Sequence, residues 1–279
     1  MEKIIRDKTF DEERALYNLT NARVENCTFA GPADGESALK EAVNVVVENC
    51  RFSLRYPFWH TTGFTIKNSL LDEKTRAPIW YSRGGRVYGS TIQGVKCLRE
   101  CSVVKFEHSN VTSPEFGWRC QNVDIYNCRM QGEYFLFETK TGHIRNLDMK
   151  GKYSFQYTED LLVSDSILDT KDAFWHSKNC TIHNTVLKGE YLAWYSENLT
   201  LVNCHIIGTQ PFCYCKGLRL IDCELNEADL AFEKSHVSAT LTSPVISVKN
   251  PASGSIVLPA LGEWIRNDPD SRGEVIVRA

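Results

Sequence analysis

A marker position, most often occupied by Asn or Asp, recurs about every 19 residues along most of this chain and constrains its fold. Seven consecutive intervals of nineteen positions separate Gly89, His108, Asn127, Asn146, Asp165, Asn184, Asn203 and Asp222. Upstream, the intervals that begin at Asn26, Asn49 and Asn68 are twenty-three, nineteen and twenty-one positions long. A fixed period of roughly 20 residues is typical of a solenoid, in which each repeat forms one coil of the chain.

Apolar residues occupy fixed offsets from the marker. Two residues before it stand Val47, Ile66, Val87, Phe106, Ile125, Ile144, Val163, Ile182, Leu201 and Leu220. Such a column predicts the interior of coils whose short parallel strands stack about 4.8 Å apart. The sequence therefore predicts an all-β fold, a single-stranded right-handed parallel β-helix of about eleven rungs. The marker itself is interpreted as a bend residue in the left-handed backbone region, with its amide bonded to the next marker in a ladder.

We expect one β-helix domain over residues 1–279, with regular rungs over 22–245. A short helical N-terminal cap is predicted within residues 1–21, because Thr9 to Glu12 has the pattern of a capping box. The four-residue excess of the first interval falls within residues 31–42, where a second short helix is expected over 36–42. Residues 246–279 are predicted to form irregular rungs and a C-terminal cap.

Composition excludes several classes of function. The net charge is −3, from 32 Lys and Arg against 35 Asp and Glu, and no basic stripe suggests a nucleic-acid partner. No apolar run has the length of a membrane span, so a cytoplasmic location is expected. Cys27 and Cys50 directly follow markers, where Ser69 and Ser90 stand in other repeats. Cysteine is therefore interpreted as a small interior residue with a reduced thiol, and no metal or other cofactor is expected.

The third strand of each repeat carries the chemical diversity. Ten residues after the marker, tryptophans recur at Trp59, Trp80, Trp118, Trp175 and Trp194. Strand alternation places these tryptophans and the residues that follow them on opposite faces, and the small residues two positions after the tryptophans favour the tryptophans as the inward column. The opposite assignment stays open, because Arg99 and Gln156 occupy the tryptophan column in other repeats. The predicted outward column contains Glu100, Arg119, Glu138, Tyr157, His176, Tyr195, Tyr214 and Glu233. Beside it, the preceding turn supplies Glu115, Tyr134, Tyr153, Asp172 and Tyr191, together with Lys152, Lys171 and Glu190.

The same turn and strand carry a family resemblance that covers nearly the whole chain. Its segments include Glu115-Phe-Gly-Trp118, Thr170-Lys-Asp-Ala-Phe-Trp-His176 and Gly189-Glu-Tyr-Leu-Ala-Trp-Tyr195. In these the chain resembles an uncharacterised bacterial family of the pectate-lyase-like superfamily of right-handed β-helices. The resemblance implies the fold and no particular activity. The carboxylate cluster with an arginine base of calcium-dependent pectate lyases, and the three aspartates of polygalacturonases, are absent from matching positions.

Tyrosines interleaved with charged groups suit a carbohydrate or a sugar-containing small molecule, because sugar rings contact aromatic rings while their hydroxyls bind charged groups. One hypothesis is a hydrolase or lyase. Its candidate catalytic residues are Glu100 and Glu138 with Arg119 between them, or Asp172 with His176. The alternatives are a non-catalytic scaffold that binds a glycan or a protein on the same face, and a purely structural solenoid, because stacked rings and alternating charges also stabilise a solenoid surface. The oligomeric state stays open.

Overall fold

The computed structural model describes residues 3–32 and 35–278. The fold is an all-β parallel β-solenoid of about 14 turns of about 19 residues. It divides into two compact units, Met1–Gly142 and His143–Ala279, and the strand Lys140–Lys152 includes the boundary. Each coil has a first, a second and a third side. A 3-10 helix at Glu73–Thr75 is the one helix within the described residues.

In the first unit every strand pairing on the three sides is parallel. The first side contains Lys3–Arg6, Thr20–Glu25, Val43–Glu48, Thr62–Lys67, Arg83–Tyr88, Ser102–Glu107 and Gln121–Gly132, the last of which continues into the second side. The second side contains Thr9–Phe10, Thr28–Phe29, Arg51–Phe52, Leu70–Leu71, Thr91–Ile92 and Asn110–Thr112. The third side contains Phe58–Trp59, Ile79–Trp80, Glu115–Phe116 and Tyr134–Phe135.

The second unit repeats this arrangement with parallel pairing. Its first-side strands are Glu159–Ser164, Thr181–His183, Thr200–Val202, Leu218–Asn226, His236–Leu241, Ser253–Leu258 and Glu274–Val277. Its second-side strands are Ile167–Lys171, Val186–Lys188 and His205–Ile207, and Leu218–Asn226 continues that side. Two further strands, Val245–Lys249 and Leu261–Ile265, pair with each other.

The marker residues have the backbone conformation that the sequence predicts. Asn184 and Asn203 have φ values of +48° and +51°, in the left-handed region that Asn tolerates better than most residues. The Asn203 amide donates to Asn184 Oδ1 over 2.9 Å, and the Asn184 amide donates to Asp165 Oδ1 over 3.2 Å. The interpretation of the marker as a bend residue with an amide ladder is therefore confirmed.

The predictions of a helical cap that begins near Thr9 and of a second short helix over 36–42 are wrong. Thr9–Phe10 is a strand, and residues 13–18 and 38–41 are turns. The N–H of Arg14 donates to the Glu36 carbonyl, and the N–H of Leu16 donates to the Ala38 carbonyl. Hydrogen bonds between neighbouring coils therefore replace the local bonds that a helix would require.

The predicted count of eleven rungs is too low because coils continue beyond the recognised markers. Asp7, which lies 19 residues before Asn26, has a φ of +55° and accepts a hydrogen bond of 3.1 Å from the Asn26 amide. After Asp222, the first-side ladder continues through Ser253–Leu258 to Glu274–Val277. Residues 246–279, predicted as irregular rungs and a cap, thus include regular parallel strands.

The solenoid interior is filled by stacked side chains. Within the first unit the Phe29 and Phe52 rings stack with centroids 4.5 Å apart, and within the second unit the Phe155 and Phe174 rings stack 4.6 Å apart. All eleven cysteines are buried and none forms a disulfide. Their burial confirms that cysteine serves as a small interior residue.

Candidate functional site

In four coils of the second unit the third side is not an extended strand. Residues 153–157, 172–176, 191–195 and 210–214 consist mainly of bends and turns in which alternate residues have positive φ. In one of them Asp172, Phe174 and His176 have φ values of +53°, +59° and +53°. The N–H of Phe174 donates to the Ser154 carbonyl in the preceding coil, and that of His176 to the Trp194 carbonyl in the following coil. Hydrogen bonds in both directions hold this left-handed backbone in place.

This backbone changes which side chains point inward. Phe174 and Ala193 are fully buried, whereas Trp175 and Trp194, one residue later, are half-buried. The prediction that the tryptophans point inward is therefore wrong, because the two-residue alternation of a strand requires an extended backbone. Each indole N–H donates to a turn carbonyl, that of Trp175 to Tyr191 over 2.6 Å and that of Trp194 to Gln210 over 2.8 Å.

The outward column is present on both units, and we call it the outer ladder. All of its members have φ values between +50° and +61°. In the first unit it consists of His60, Tyr81, Glu100, Arg119 and Glu138, and in the second unit of Tyr157, His176, Tyr195 and Tyr214. Glu233 lies outside it, because the N–H of Tyr214 donates to the Glu233 carbonyl and Lys234, with a φ of +52°, takes the following position.

In the second unit the outer ladder is a continuous stack of rings. The centroids of Tyr157 and His176 lie 4.9 Å apart, those of His176 and Tyr195 lie 5.0 Å apart, and those of Tyr195 and Tyr214 lie 4.8 Å apart, all within 9° of parallel. Tyr157 and Tyr195 are 48% and 42% exposed. Because the ring faces contact one another, the ring edges and the tyrosine hydroxyls are the groups presented to a ligand.

Beside this stack, the preceding turn combines two lysines, two tyrosines and a carboxyl group. The Lys152 ammonium lies 4.3 Å from the Tyr153 ring centroid, and the Lys171 ammonium lies 5.5 Å from that of Tyr191. Lys171 also lies 3.4 Å from a carboxylate oxygen of Glu190.

Asp172 lies in the same turn and is only 6% exposed. Burial raises the pKa of the Asp172 carboxyl group, while the charges of Lys171 and Lys152 oppose that change. No hydrogen bond or ion pair joins the Asp172 carboxyl group to His176 or to any other residue of the described ranges. The structure therefore does not bring Asp172 and His176 together as an acid–base pair.

In the first unit the outer ladder includes three charged residues, Glu100, Arg119 and Glu138. Arg119 Nε lies 2.7 Å from Glu138 Oε2, and this hydrogen bond raises the pKa of Arg119, with further contributions from the charges of Glu138 and Glu100. Glu115 in the neighbouring turn pairs with Arg99 at 3.1 Å and with Lys96 at 3.7 Å. Glu138 and Glu115 are thus held in ion pairs.

Aromatic rings accompany these charges. Trp118 stacks on Phe137 at 4.4 Å and contacts Tyr134 at 5.8 Å. His60 and Tyr81, which were not among the predicted site residues, stack at 5.2 Å on the same face. His60 and Tyr81 occupy the outward column in the sequence, and this position is the signal by which they could have been predicted as site residues.

Within the described ranges, no group of three or more His, Cys, Asp or Glu side chains is placed to hold a metal ion. In the same part of the chain, no helix is long and apolar enough to cross a membrane.

Comparison with known proteins identifies relatives at the level of family and fold. No curated protein matches the chain. Among solved structures, the surface adhesin PfbA of Streptococcus pneumoniae is similar, with a TM-score of 0.53 at 10% identity, over 90% of this chain and 84% of the adhesin chain. Tailspike protein 3 of bacteriophage CBA120 matches with a TM-score of 0.30 at 11% identity, over 99% of this chain and 52% of the tailspike chain. The family described as "Protein of unknown function (DUF3737)" matches residues 3–276, and the chain belongs to that family.

Proposed function

We propose that the outer ladder of each unit is a glycan-binding surface. Residues with left-handed backbone form several columns in this solenoid. Two of these columns lie near the ends of the first side: the marker column and a column five residues before it. Both are occupied largely by residues that this conformation favours, and the second contains Asn21, Asn44, Gly63, Gly84, Asn122, Asp160, Asn179, Asn198 and Gly217. The outer ladder instead carries Tyr, His, Glu and Arg.

This contrast in composition is the observation that carries the proposal. The left-handed conformation costs a residue with a side chain roughly 1–2 kcal/mol, and Asn or Gly reduces that cost. Large left-handed residues such as Phe155 and Phe174 are fully buried, so core packing accounts for them. The outer ladder lies at the surface, and residues in unfavourable backbone regions are often found at functional sites. A ligand-binding role explains why large side chains are retained there.

The stacked rings of the second unit suggest how a glycan would bind. Their edges and the hydroxyls of Tyr157, Tyr195 and Tyr214 form a row of hydrogen-bonding groups, and neighbouring rings lie 4.8–5.0 Å apart. This spacing is similar to the length of one sugar unit in an extended glycan. We expect a hydroxyl-rich polymer or oligosaccharide to lie along the ladder and to be held by hydrogen bonds rather than by stacking on ring faces.

A binding role is consistent with the fold and with the sequence resemblance. PfbA, which has a similar fold, is a surface adhesin. Because fold alone does not determine function, this similarity adds only that a solenoid of this kind can serve in binding. The relationship to pectate-lyase-like proteins that the sequence suggests is part of the same proposal.

The test is a binding measurement against a panel of neutral and acidic oligosaccharides, with Tyr195→Asn as the variant. Asn suits the left-handed backbone, so this change removes the ring without straining the chain. We expect the wild-type protein to bind at least one oligosaccharide, and Tyr195→Asn to weaken that binding by about tenfold, or about 1.4 kcal/mol. Val103→Asn is the matched control, because Val103 has a φ of +56° in a column outside the outer ladder. Equal binding by wild type and Tyr195→Asn would refute the proposal.

A second candidate function is catalysis on the same ligand, and the environment of Asp172 favours it. A nearly buried carboxyl group with a raised pKa and two lysines nearby resembles a general acid or base. If the protein is catalytic, the wild type should cleave at least one oligosaccharide. The variant Asp172→Asn should then abolish cleavage while its affinity for that oligosaccharide stays within about twofold of the wild-type value. Absence of turnover by the wild-type protein across the panel would leave binding as the function.

A further inference from the structure

Two lengthened coils of the first unit flank a coil of regular length. Thr28 pairs with Arg51, twenty-three positions later, whereas Glu36 pairs with Arg55, nineteen positions later. Four residues are therefore inserted between the second and third sides. In the next pair of coils, Arg51 pairs with Leu70, nineteen positions later, whereas Phe58 pairs with Ile79, twenty-one positions later. Both insertions thus occur at the same corner, and insertions in solenoids often form a binding face.

The regular coil between these insertions forms the floor of a cavity of about 340 Å³, which we call the corner cavity. Its walls are Gly31 from the first insertion, Lys74 from the second, and Ser53, Leu54 and Arg55 from the coil between them. This volume lies within the range of small-molecule sites. A side chain at Gly31 would overlap Asp11, so this wall depends on glycine.

Two carboxylates at this corner already have partners. Asp72 accepts hydrogen bonds from the Ser53 hydroxyl and from the backbone N–H of Lys74, and it lies 3.5 Å from Arg51. Glu36 lies 3.4 Å from one terminal nitrogen of Arg55. Asp72 and Glu36 are therefore engaged with groups other than the Lys74 ammonium.

Two cationic side chains, Arg55 and Lys74, line the cavity. Within the described residues, Arg55 Nε is buried without a hydrogen-bond partner, and no carboxylate lies within 4 Å of the Lys74 ammonium. A buried donor without an acceptor is costly, more so when it belongs to a charged group. Arg and Lys side chains that converge on one cavity are suited to an oxyanion, which accepts charge-assisted hydrogen bonds from both.

We propose that the corner cavity binds a small oxyanion, either a carboxylate or a phosphate group, between Arg55 and Lys74. The oxyanion receives hydrogen bonds from the Arg55 guanidinium and from the Lys74 ammonium. This site lies at a corner of the coils, and Arg55 and Lys74 precede His60 and Tyr81 of the outer ladder in the sequence. The proposal does not depend on the proposed glycan-binding function. An acidic sugar and a phosphorylated metabolite both carry the required group.

Calorimetric titration of the intact protein at constant ionic strength distinguishes these sources. Sodium glucuronate, inorganic phosphate and glucose are the three probes. We expect saturable binding of glucuronate or of phosphate with one site per chain, and no binding of glucose. If neither anion binds saturably, the proposal is wrong.

The variant Lys74→Met tests the residue assignment. Lys74 is exposed, so the change should leave the fold intact, which a thermal melt verifies. We expect anion binding to weaken by at least about tenfold, in keeping with the strength of a charge-assisted hydrogen bond. Lys188→Met, at an exposed lysine of the second unit, is the control and should bind like the wild type. Equal anion affinities for Lys74→Met and Lys188→Met would overturn the assignment. Tyr195→Asn, which alters the outer ladder, should leave anion binding unchanged.

Discussion

Val103 occupies a backbone position that disfavours it, and its replacement by Asn should stabilise the protein. Its φ is +56°, and a β-branched side chain in this region is a genuine conformational outlier. The equivalent positions in neighbouring coils are Gly84 and Asn122, with φ values of +67° and +55°. Val103 is 48% exposed, so little of its side chain contributes to the core.

Three contributions determine the expected change in the free energy of unfolding. Relief of the left-handed strain contributes about 1.5 kcal/mol. A hydrogen bond from the Asn122 amide to the new side chain would resemble the 3.1 Å bond between Asn198 and Asn179, and at an exposed site it is worth about 0.5 kcal/mol. Loss of the half-buried isopropyl group costs about 1 kcal/mol. The net expectation is stabilisation by about 1 kcal/mol.

Urea denaturation followed by circular dichroism measures this change. With a slope of about 3 kcal/mol per molar, the midpoint should rise by about 0.3 M. Val103→Ala is the control, because it loses the same apolar contacts without gaining the amide, and it should be less stable than Val103→Asn. The reasoning fails if the Ala and Asn variants have equal midpoints, or if Asn122→Val, the reverse change in the next coil, is not destabilising.

Two further predictions concern the interior. A side chain at Gly85 would overlap the Phe64 ring in the paired coil, so Gly85→Ala should destabilise the protein by about 1–3 kcal/mol in the same urea assay. Phe64→Leu in the same chain should recover part of the loss, and an unperturbed Gly85→Ala variant would contradict this. Burial raises the pKa of Cys50 to about 12, which leaves a thiolate fraction of about 10⁻⁴ at pH 8. Because all eleven cysteines are buried, intact mass measurement should show no alkylation of the native protein by iodoacetamide at pH 8 and eleven modifications after unfolding. Rapid modification of the native protein would contradict the burial of its thiols.

The sequence predicts the structure best where a local backbone conformation can be adopted by only a few residue types. Asn at the marker predicted both the left-handed bend and the amide ladder, because few other residues tolerate that conformation and can also bond along the stack. The same logic would have found the left-handed column five residues before the marker, in which Asn179 and Asn198 form an equivalent ladder. In that column Val103 and Thr141 interrupt the pattern of Asn, Asp and Gly.

The sequence alone determined the period, the interior columns and the parallel coil. These features depend on side-chain volume and polarity, which repeat visibly with the same period as the marker. Tertiary structure decided the conformation of the third side, since its left-handed residues are held by hydrogen bonds to the preceding and following coils. An alternation rule for isolated strands therefore placed the tryptophans wrongly.

The same distinction applies to the candidate sites. The outward ring and charge column was recognisable from the sequence, but the face-to-face stacking of its rings became evident only in three dimensions. The corner cavity was not recognisable, although both insertions were visible as irregular intervals. Two insertions meet at one corner only if the strands before and after each insertion pair in the appropriate register. That register is fixed by contacts between coils, whereas the period of the repeat is fixed by the composition of each coil.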